Sequence, residues 1–259
     1  MPDIWTPLES NPDVITEYAA SLGLDKNILS FCDILSTEEW ALDMVPRPAH
    51  AVVMVYPIKD GSEARSSAQR ARVEKDGQEV ADELYYMKQT VPNACGTVAL
   101  LHAVGNLSPD LFNTVVAKDS FLAKFFSDTK GEAAANASPQ KMSPAAIAQY
   151  LEEDNAIDAL HSAASAQGQS AAPEDNLTNN HFVCFCLVRG CVYELDGRKE
   201  FPINHGSPES ILGQPVAADG DNTKLVEAAI AVIQKEFMQP DPEELRFTFI
   251  ALAAAAGSV

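Results

Sequence analysis

The chain has 259 residues, and its 37 acidic side chains outnumber 18 basic ones, which gives a formal net charge of −19. This charge argues against nucleic acid as a partner, because binding a phosphate backbone requires cations that displace counterions. It argues equally against docking on an anionic membrane surface. An acidic surface suits a basic partner, although solubility alone is the simpler explanation.

Five cysteines form no disulfide framework, so we expect a reducing compartment, the cytoplasm first and the nucleus second. The first ten residues lack the basic start and apolar run of a secretory signal. The apolar tract at 247–256 is too short to span a bilayer. Zinc would need four convergent ligands, and the Cys-x-Cys at 184–186 does not have that spacing. We therefore expect neither a metal nor a cofactor.

The predicted elements begin with a helix that Asn11 caps, Pro12 opens and Gly23 ends. The others, in chain order, are a strand at 51–58, a helix at 62–75, a helix from 95, an amphipathic segment at 111–126, a helix at 144–164, strands at 181–188 and 191–196, a helix at 223–238 and a strand at 245–252. Polar segments at 127–141, 166–180 and 207–222 are predicted to be loops. Because helices and strands do not alternate regularly, the fold class is α+β, an antiparallel sheet flanked by helices in a single domain over 1–259.

Cys95 is the first candidate for chemistry, since it lies between an extended approach and the start of a helix. A thiol there faces unpaired backbone N–H groups and the positive end of the helix dipole, and both stabilise the thiolate, the nucleophilic form. Gln89, six residues earlier, can donate to an oxyanion together with the Cys95 N–H. An isolated cysteine is more commonly a small buried apolar residue, so this segment alone leaves both interpretations open.

Two apolar runs separated by the two residues 189–190 predict a tight β-hairpin. If Val188 faces Cys191, then Asp196 lies on the same strand face as His181 and within reach of its ring. A slip of one residue would put the two side chains on opposite faces. A carboxylate that orients a histidine beside a thiolate is the arrangement of a Cys–His–Asp site. Taken singly, Asp196 is better explained as a turn residue and His181 as a residue at a loop-to-strand boundary.

Five segments together resemble the ubiquitin carboxyl-terminal hydrolase family. They are MKQTVPNACG at 87–96, YELDGRKEFPINHG at 193–206, WTPLESNP at 5–12, MVPRP at 44–48 and DPEELRF at 241–247. The resemblance covers nearly the whole chain. It is closest to the short, single-domain branch active on ubiquitin and on the modifier of the neddylation pathway. The chain departs from the short members by insertions at 127–141 and 207–221.

The resemblance implies a papain-related fold with a knotted chain path. It implies that Cys95 is the nucleophile, His181 the general base and acid, Asp196 the group that orients it, and Gln89 an oxyanion donor. It also makes 166–180 a crossover loop past which the leaving group must travel. The implied activity is hydrolysis of esters, thioesters and amides, with small or unfolded adducts, after the terminal glycine of the modifier.

The implied partners are ubiquitin and the neddylation modifier, with the enzyme a monomer. Family members hold the basic tail of ubiquitin with acidic residues, and the matching positions are Glu9, Asp13, Asp33 and Glu244. The alternative for these four is solvated surface charge. Two other functions stay open: a modifier-binding protein without turnover, and a general cysteine peptidase or amidase with the same triad.

Overall fold

The computed structural model describes residues 4–131, 141–168, 178–215 and 224–256. A six-stranded sheet in the order β1-β6-β2-β3-β4-β5 forms the frame, and every strand pairing is antiparallel. The strands are β1 (Leu29–Asp33), β2 (Ala49–Pro57), β3 (Asn180–Val188), β4 (Cys191–Leu195), β5 (Ile203–Asn204) and β6 (Thr248–Ala254).

Helices cover the sheet. They are α1 (Pro12–Leu22), α2 (Glu39–Asp43), α3 (Asp60–Asp76), α4 (Cys95–Gly105), α5 (Pro109–Val115), α6 (Phe121–Lys130), α7 (Pro144–Glu152), α8 (Asn155–Ser165), α9 (Pro208–Leu212) and α10 (Leu225–Ile233), which continues as a π-helical turn, Gln234–Met238. Alternate side chains of β3 enter two different apolar clusters. Cys184 packs in the cluster that contains α4, and Phe185 in the cluster that contains α10. The predicted α+β class, an antiparallel sheet flanked by helices, is confirmed.

α1 forms as the sequence predicts. The Asn11 side chain accepts the Asp13 and Val14 N–H groups at 2.9 and 3.4 Å, which satisfies two of the unpaired donors at the helix start. Gly23 ends the helix with φ of 115°, a left-handed conformation that glycine adopts without steric cost.

The amphipathic segment at 111–126 and the helix predicted at 144–164 each correspond to two helices. Ser120 accepts the Ala123 N–H at 3.2 Å and starts α6, while Asp154 accepts the Ala156 N–H at 2.8 Å and starts α8. In both cases a side-chain cap begins a new helix inside an apolar pattern that continues unbroken. The sequence prediction also missed β1, α2, β5 and α9, which are all five residues or shorter.

The three predicted loops lie partly outside the described residues. Residues 132–140 of the first, 169–177 of the proposed crossover and 216–223 of the third fall outside them. The knotted chain path depends on such segments and stays a prediction. Within the described part, no helix combines the length and apolar character needed to cross a membrane.

Candidate active site

The chain enters α4 through a left-handed backbone conformation at Asn93. Asn93 has φ of 64°, a left-handed conformation that asparagine tolerates better than most residues, and its Nδ2 donates to the Trp5 carbonyl at 2.8 Å. Ala94, the N-cap, offers no side-chain acceptor to the first turn. The N–H groups around Cys95 are therefore not capped by a side chain at that position, as an oxyanion site requires.

The β3–β4 hairpin forms in the predicted register. Arg189 and Gly190 have φ of 49° and 73°, and Val188 pairs with Cys191. Two consecutive positive φ values are typical of the type I′ turn, which matches the twist of the strands. The register brings His181 and Asp196 to the same end of the hairpin.

The structure joins Cys95, His181 and Asp196 in one line of contacts. His181 Nε2 lies 2.7 Å from Asp196 Oδ1, and the Cys95 thiol forms a hydrogen bond with the His181 ring. Because Nε2 is occupied by Asp196, the nitrogen left for the thiol is Nδ1. The three residues are 6%, 2% and 4% exposed, so the site is largely shielded from water.

Charge and burial oppose each other at His181. Burial disfavours the charged ring, but Asp196 and Cys95 together raise the pKa of His181 to about 9. Burial likewise works against the Asp196 carboxylate, yet the His181 ring and the Lys199 ammonium hold the pKa of Asp196 below its ordinary value. An imidazolium between a carboxylate and a sulfur atom can stabilise a thiolate and later donate a proton.

Gln89 lies against the turn that follows Asp196. Its backbone N–H donates to the Gly197 carbonyl at 2.9 Å, and a Cβ at Gly197 would come within 3.0 Å of the Gln89 Cβ. Its side-chain Nε2 donates to the Val91 carbonyl at 3.1 Å, and its Oε1 is buried without a partner among the described residues. One amide hydrogen is therefore engaged locally, and the other remains for the predicted oxyanion.

The four predicted tail-binding acids lie in different environments. Asp13 and Asp33 are exposed, on the first turn of α1 and at the end of β1. Glu9 is half-buried, with its carboxylate beside Gly168, at the start of the proposed crossover. Glu244 is different, because it is buried.

The Glu244 carboxylate already has cationic partners within the chain. It accepts from Lys59 Nζ at 2.7 Å and from Arg246 Nε and Nη2 at 2.9 and 2.7 Å. Hydrogen bonds from Arg246 and Lys59 hold the pKa of Glu244 far below its ordinary value. Its predicted role would thus require sharing or exchanging these partners.

The sequence interpretation overlooked three residues that hold the Asp196 turn. The Tyr86 hydroxyl contacts the carbonyl oxygens of Asp196 and Lys199 at 2.8 and 2.7 Å. Glu194 and Lys199 form a buried ion pair. A signal was present, because Glu194 interrupts an apolar strand two residues before Asp196 and so shares its face.

The remaining cysteines, Cys32, Cys184, Cys186 and Cys191, are free thiols. Cys184 and Cys186 lie on the strand face opposite His181, as predicted, with their sulfur atoms 3.5 Å apart in the core. Across the described ranges, no group of three or more His, Cys, Asp and Glu side chains could hold a metal ion.

Comparisons with known proteins point to one family. The model of "Ubiquitin carboxyl-terminal hydrolase, family 1" matches residues 5–237. Ubiquitin carboxyl-terminal hydrolase 3 of Arabidopsis thaliana is 37% identical over 251 residues, which cover 96% of this chain and 94% of the relative. Ubiquitin carboxyl-terminal hydrolase isozyme L1 of Homo sapiens is 35% identical over 250 residues, which cover 96% and 98%.

A solved structure shares the fold. The catalytic domain of Trichinella spiralis UCH37, crystallised bound to ubiquitin vinyl methyl ester, superposes with a TM-score of 0.66 at 24% identity. The match covers 97% of this chain and 96% of that domain. At this identity the likeness supports the fold, while the sequence relatives above support the family.

Proposed function

Because the chain belongs to the ubiquitin carboxyl-terminal hydrolase family of cysteine peptidases, we propose that it cleaves bonds at the C-terminal glycine of ubiquitin with Cys95 as its nucleophile. The observation that carries this proposal is the contact line from Cys95 through His181 to Asp196. Family membership indicates the substrate, and the contacts among Cys95, His181 and Asp196 indicate the chemistry.

In the first step, the tail of ubiquitin lies extended with the carbonyl of its last glycine next to Cys95. The Cys95 thiolate attacks this carbon, and the carbonyl oxygen gains the negative charge. The Cys95 N–H and the free amide hydrogen of Gln89 stabilise that oxyanion. His181 then gives its proton to the leaving amine, alcohol or thiol, and the acyl-enzyme remains.

In the second step, water replaces the leaving group. His181, now neutral, takes a proton from this water as it attacks the thioester carbonyl. The tetrahedral intermediate collapses, the thiolate leaves, and ubiquitin is released with a free carboxylate. Asp196 keeps the His181 ring in one orientation in both steps.

Three of the predicted tail-binding acids extend the proposal to recognition of the tail. Glu9, Asp13 and Asp33 would attract the basic residues of the tail, and the same chemistry would serve the neddylation modifier as a second substrate. The bonds that we propose it cleaves are esters, thioesters and amides with small or unfolded leaving groups. We also propose that the protein is a monomer and acts in the cytoplasm and the nucleus.

Covalent labelling tests the nucleophile. We expect ubiquitin vinyl methyl ester to add to the protein with one-to-one stoichiometry and peptide mapping to place the adduct on Cys95. Cys95→Ala should abolish labelling. The matched variants Cys32→Ala and Cys191→Ala, which remove half-buried thiols, should label as the unmodified protein does.

The same experiment separates the alternative functions. A correctly folded protein that binds ubiquitin but forms no adduct and releases no product would be a binding protein without turnover. Equal kcat/KM for ubiquitin C-terminal amides and for short peptide amides would indicate a general cysteine peptidase. Either result would contradict the proposed function. Vinyl methyl ester probes of both modifiers, compared at one concentration, would rank them.

A further inference from the structure

A buried ion pair lies directly behind Asp196. Glu194 is completely buried on β4 and accepts hydrogen bonds from the Lys199 ammonium and, at 2.9 Å, from His205 Nε2. Lys199 is only 6% exposed. Removing two charges from water is costly, and apolar side chains of similar volume often stabilise such a place equally well. Stability alone therefore does not explain why this pair is present.

The pair encloses the turn that carries Asp196. Lys199 follows Asp196 by three residues, and its N–H donates to the Asp196 carbonyl at 2.9 Å. The Lys199 side chain then reaches back to Glu194, two residues before Asp196. The ion pair thus links Glu194, on the strand before the turn, to Lys199, the last residue of the turn.

This turn determines the position of the Asp196 oxygen. Oδ1 accepts from His181 Nε2 at 2.7 Å and also from the Arg198 N–H inside the turn at 2.9 Å. A change in the conformation of the turn would therefore move the Arg198 N–H relative to the His181 ring. The hydrogen bond that orients His181 depends on the conformation of residues 196–199.

Helix α3 adds a third contact to the same pair. Gln69 is the buried residue of this otherwise polar helix, and its amide donates to Glu194 Oε2 at 3.4 Å while its Oε1 accepts from the Lys199 ammonium. Glu63, on the same helix, pairs with Arg198 at 2.5 Å. α3 therefore docks on the Asp196 turn mainly through polar groups.

We propose that Lys199 and Glu194 are positioning residues, whose ion pair fixes the 196–199 turn and thereby the Asp196 oxygen that orients His181. The inference rests on the proposed function, since it concerns the efficiency of the same site. Neither residue touches the substrate in this account; both act through Asp196.

Several titratable groups face Asp196 from the elements packed around it: His181 of β3, Tyr56 of β2, His102 of α4, Tyr86, Glu194 and Lys199. Among these, Lys199 supports the charged form of Asp196, next in effect to His181. A test must therefore separate the lost charge of Lys199 from the lost position of Asp196.

Lys199→Met makes this separation, because the two effects have opposite signs at His181. Loss of a nearby positive charge alone would raise the pKa of His181 above about 9. Loss of the hydrogen bond to a displaced Asp196 would lower it. NMR titration of the His181 ring, together with the alkaline limb of the kcat profile on a fluorogenic ubiquitin amide, reports the direction.

We expect the His181 titration to move to lower pH and kcat to fall roughly tenfold to a hundredfold, as for other small misplacements near a reacting group. KM should change much less. Lys75→Met, which removes an exposed lysine of α3, should leave the titration and kcat unchanged. A titration that moves upward or stays in place in the folded Lys199→Met protein would overturn the proposal.

The paired variant Glu194→Gln/Lys199→Met covers the case in which Lys199→Met fails to fold, because it leaves no unpaired buried carboxylate. It should show the same downward titration, and an unchanged titration in this folded protein would equally overturn the proposal. The His181 titration needs no turnover. An unmodified protein that is inactive on ubiquitin would therefore contradict the proposed function and leave the positioning inference testable.

Discussion

His181 is the residue whose protonation most directly controls the proposed chemistry. Its ring is buried, which favours the neutral form, yet Asp196 and Cys95 raise its pKa to about 9. The ring is therefore charged at neutral pH and carries the proton that the leaving group requires. Activity should persist through neutral pH and decline as pH rises through about 9, where the ring loses this proton.

Asp196→Asn tests this account at the level of one residue. The amide has no negative charge to stabilise the imidazolium, so the pKa of His181 should fall and the alkaline limb of kcat/KM should move to lower pH. Because the amide can also favour the wrong ring tautomer, kcat should fall by roughly 10²- to 10⁴-fold.

The control for this variant is Asp119→Asn, which changes an exposed acid between α5 and α6. It should leave the pH profile in place. If Asp196→Asn lowered kcat without moving the alkaline limb, the electrostatic part of the account would be wrong. The pH range in which His181 and Asp196 stabilise the fold is a separate property, which unfolding measured as a function of pH reports.

That range follows from the signs of the two pKa changes. The raised pKa of His181 contributes stability that is complete below its unfolded value and is lost as pH rises through about 9. The lowered pKa of Asp196 contributes stability that is present above its unfolded value and is lost as pH falls. The pair therefore stabilises the fold most between these limits.

Strand periodicity predicts much of the site. The two-residue turn fixes the hairpin register, and the register places His181 and Asp196 on one face. The orientation of the Gln89 amide and the cationic partners of Glu244 could not be predicted, because Val91, Lys59 and Arg246 meet these side chains only through tertiary contacts.

Helix α4 as a whole, more than any single side chain, positions Cys95 at its first residue. All eleven of its residues are buried, so its apolar pattern is continuous around the helix. At its C-terminal end, a Cβ on Gly105 would lie 2.6 Å from the Tyr85 ring and 2.8 Å from the Phe126 ring. Glycine therefore allows α4 to pack closely against both aromatic residues.

Gly105→Ala should destabilise the protein by about 1–3 kcal/mol, the usual cost of overpacking a filled core. Urea unfolding measures the change in the free energy of unfolding, and the slope should stay the same. Gly61→Ala is the matched control, because a Cβ at this helical position meets nothing within 4 Å.

For Gly61→Ala the alanine should be neutral or stabilising by up to about 1 kcal/mol, through helix propensity alone. Equal effects at the two positions would mean that the close packing of α4 against Tyr85 and Phe126 is not a constraint on the fold.

The sequence predicts where long helices and strands lie better than where they divide. Ser120 and Asp154 act as caps, but each lies inside an apolar pattern that reads as one helix. β1 and β5 are defined by their partners β6 and β4, since each is too short to carry a periodicity of its own. Such elements depend on the assembled sheet.

The net charge of −19 sets the electrostatic field in which a cationic tail approaches the protein. This field alone would raise the association rate of any basic partner and would weaken with salt. A specific role for Glu9, Asp13 and Asp33 differs from it, because contacts close to the tail should raise affinity beyond the effect of net charge.

Two triple variants with equal charge separate these explanations. Glu9→Gln/Asp13→Asn/Asp33→Asn changes the proposed binding acids. Asp76→Asn/Asp119→Asn/Glu209→Gln changes three exposed acids elsewhere. Each variant removes three negative charges and so changes the net charge from −19 to −16. We expect only the first to raise KM for a ubiquitin amide by about tenfold at low salt, since exposed ionic contacts contribute up to about 1 kcal/mol each.

For the first variant, kcat should change little, and the increase of KM with salt should become flatter, because the groups that salt screens have been removed. Glu244→Gln should raise KM less than the first triple variant does, since Lys59 and Arg246 already neutralise this carboxylate in the free protein. Its main effect should be a lower free energy of unfolding, because the hydrogen bonds from Lys59 and Arg246 would then reach an uncharged acceptor. Equal KM for the two triple variants at every salt concentration would mean that net charge alone attracts the tail.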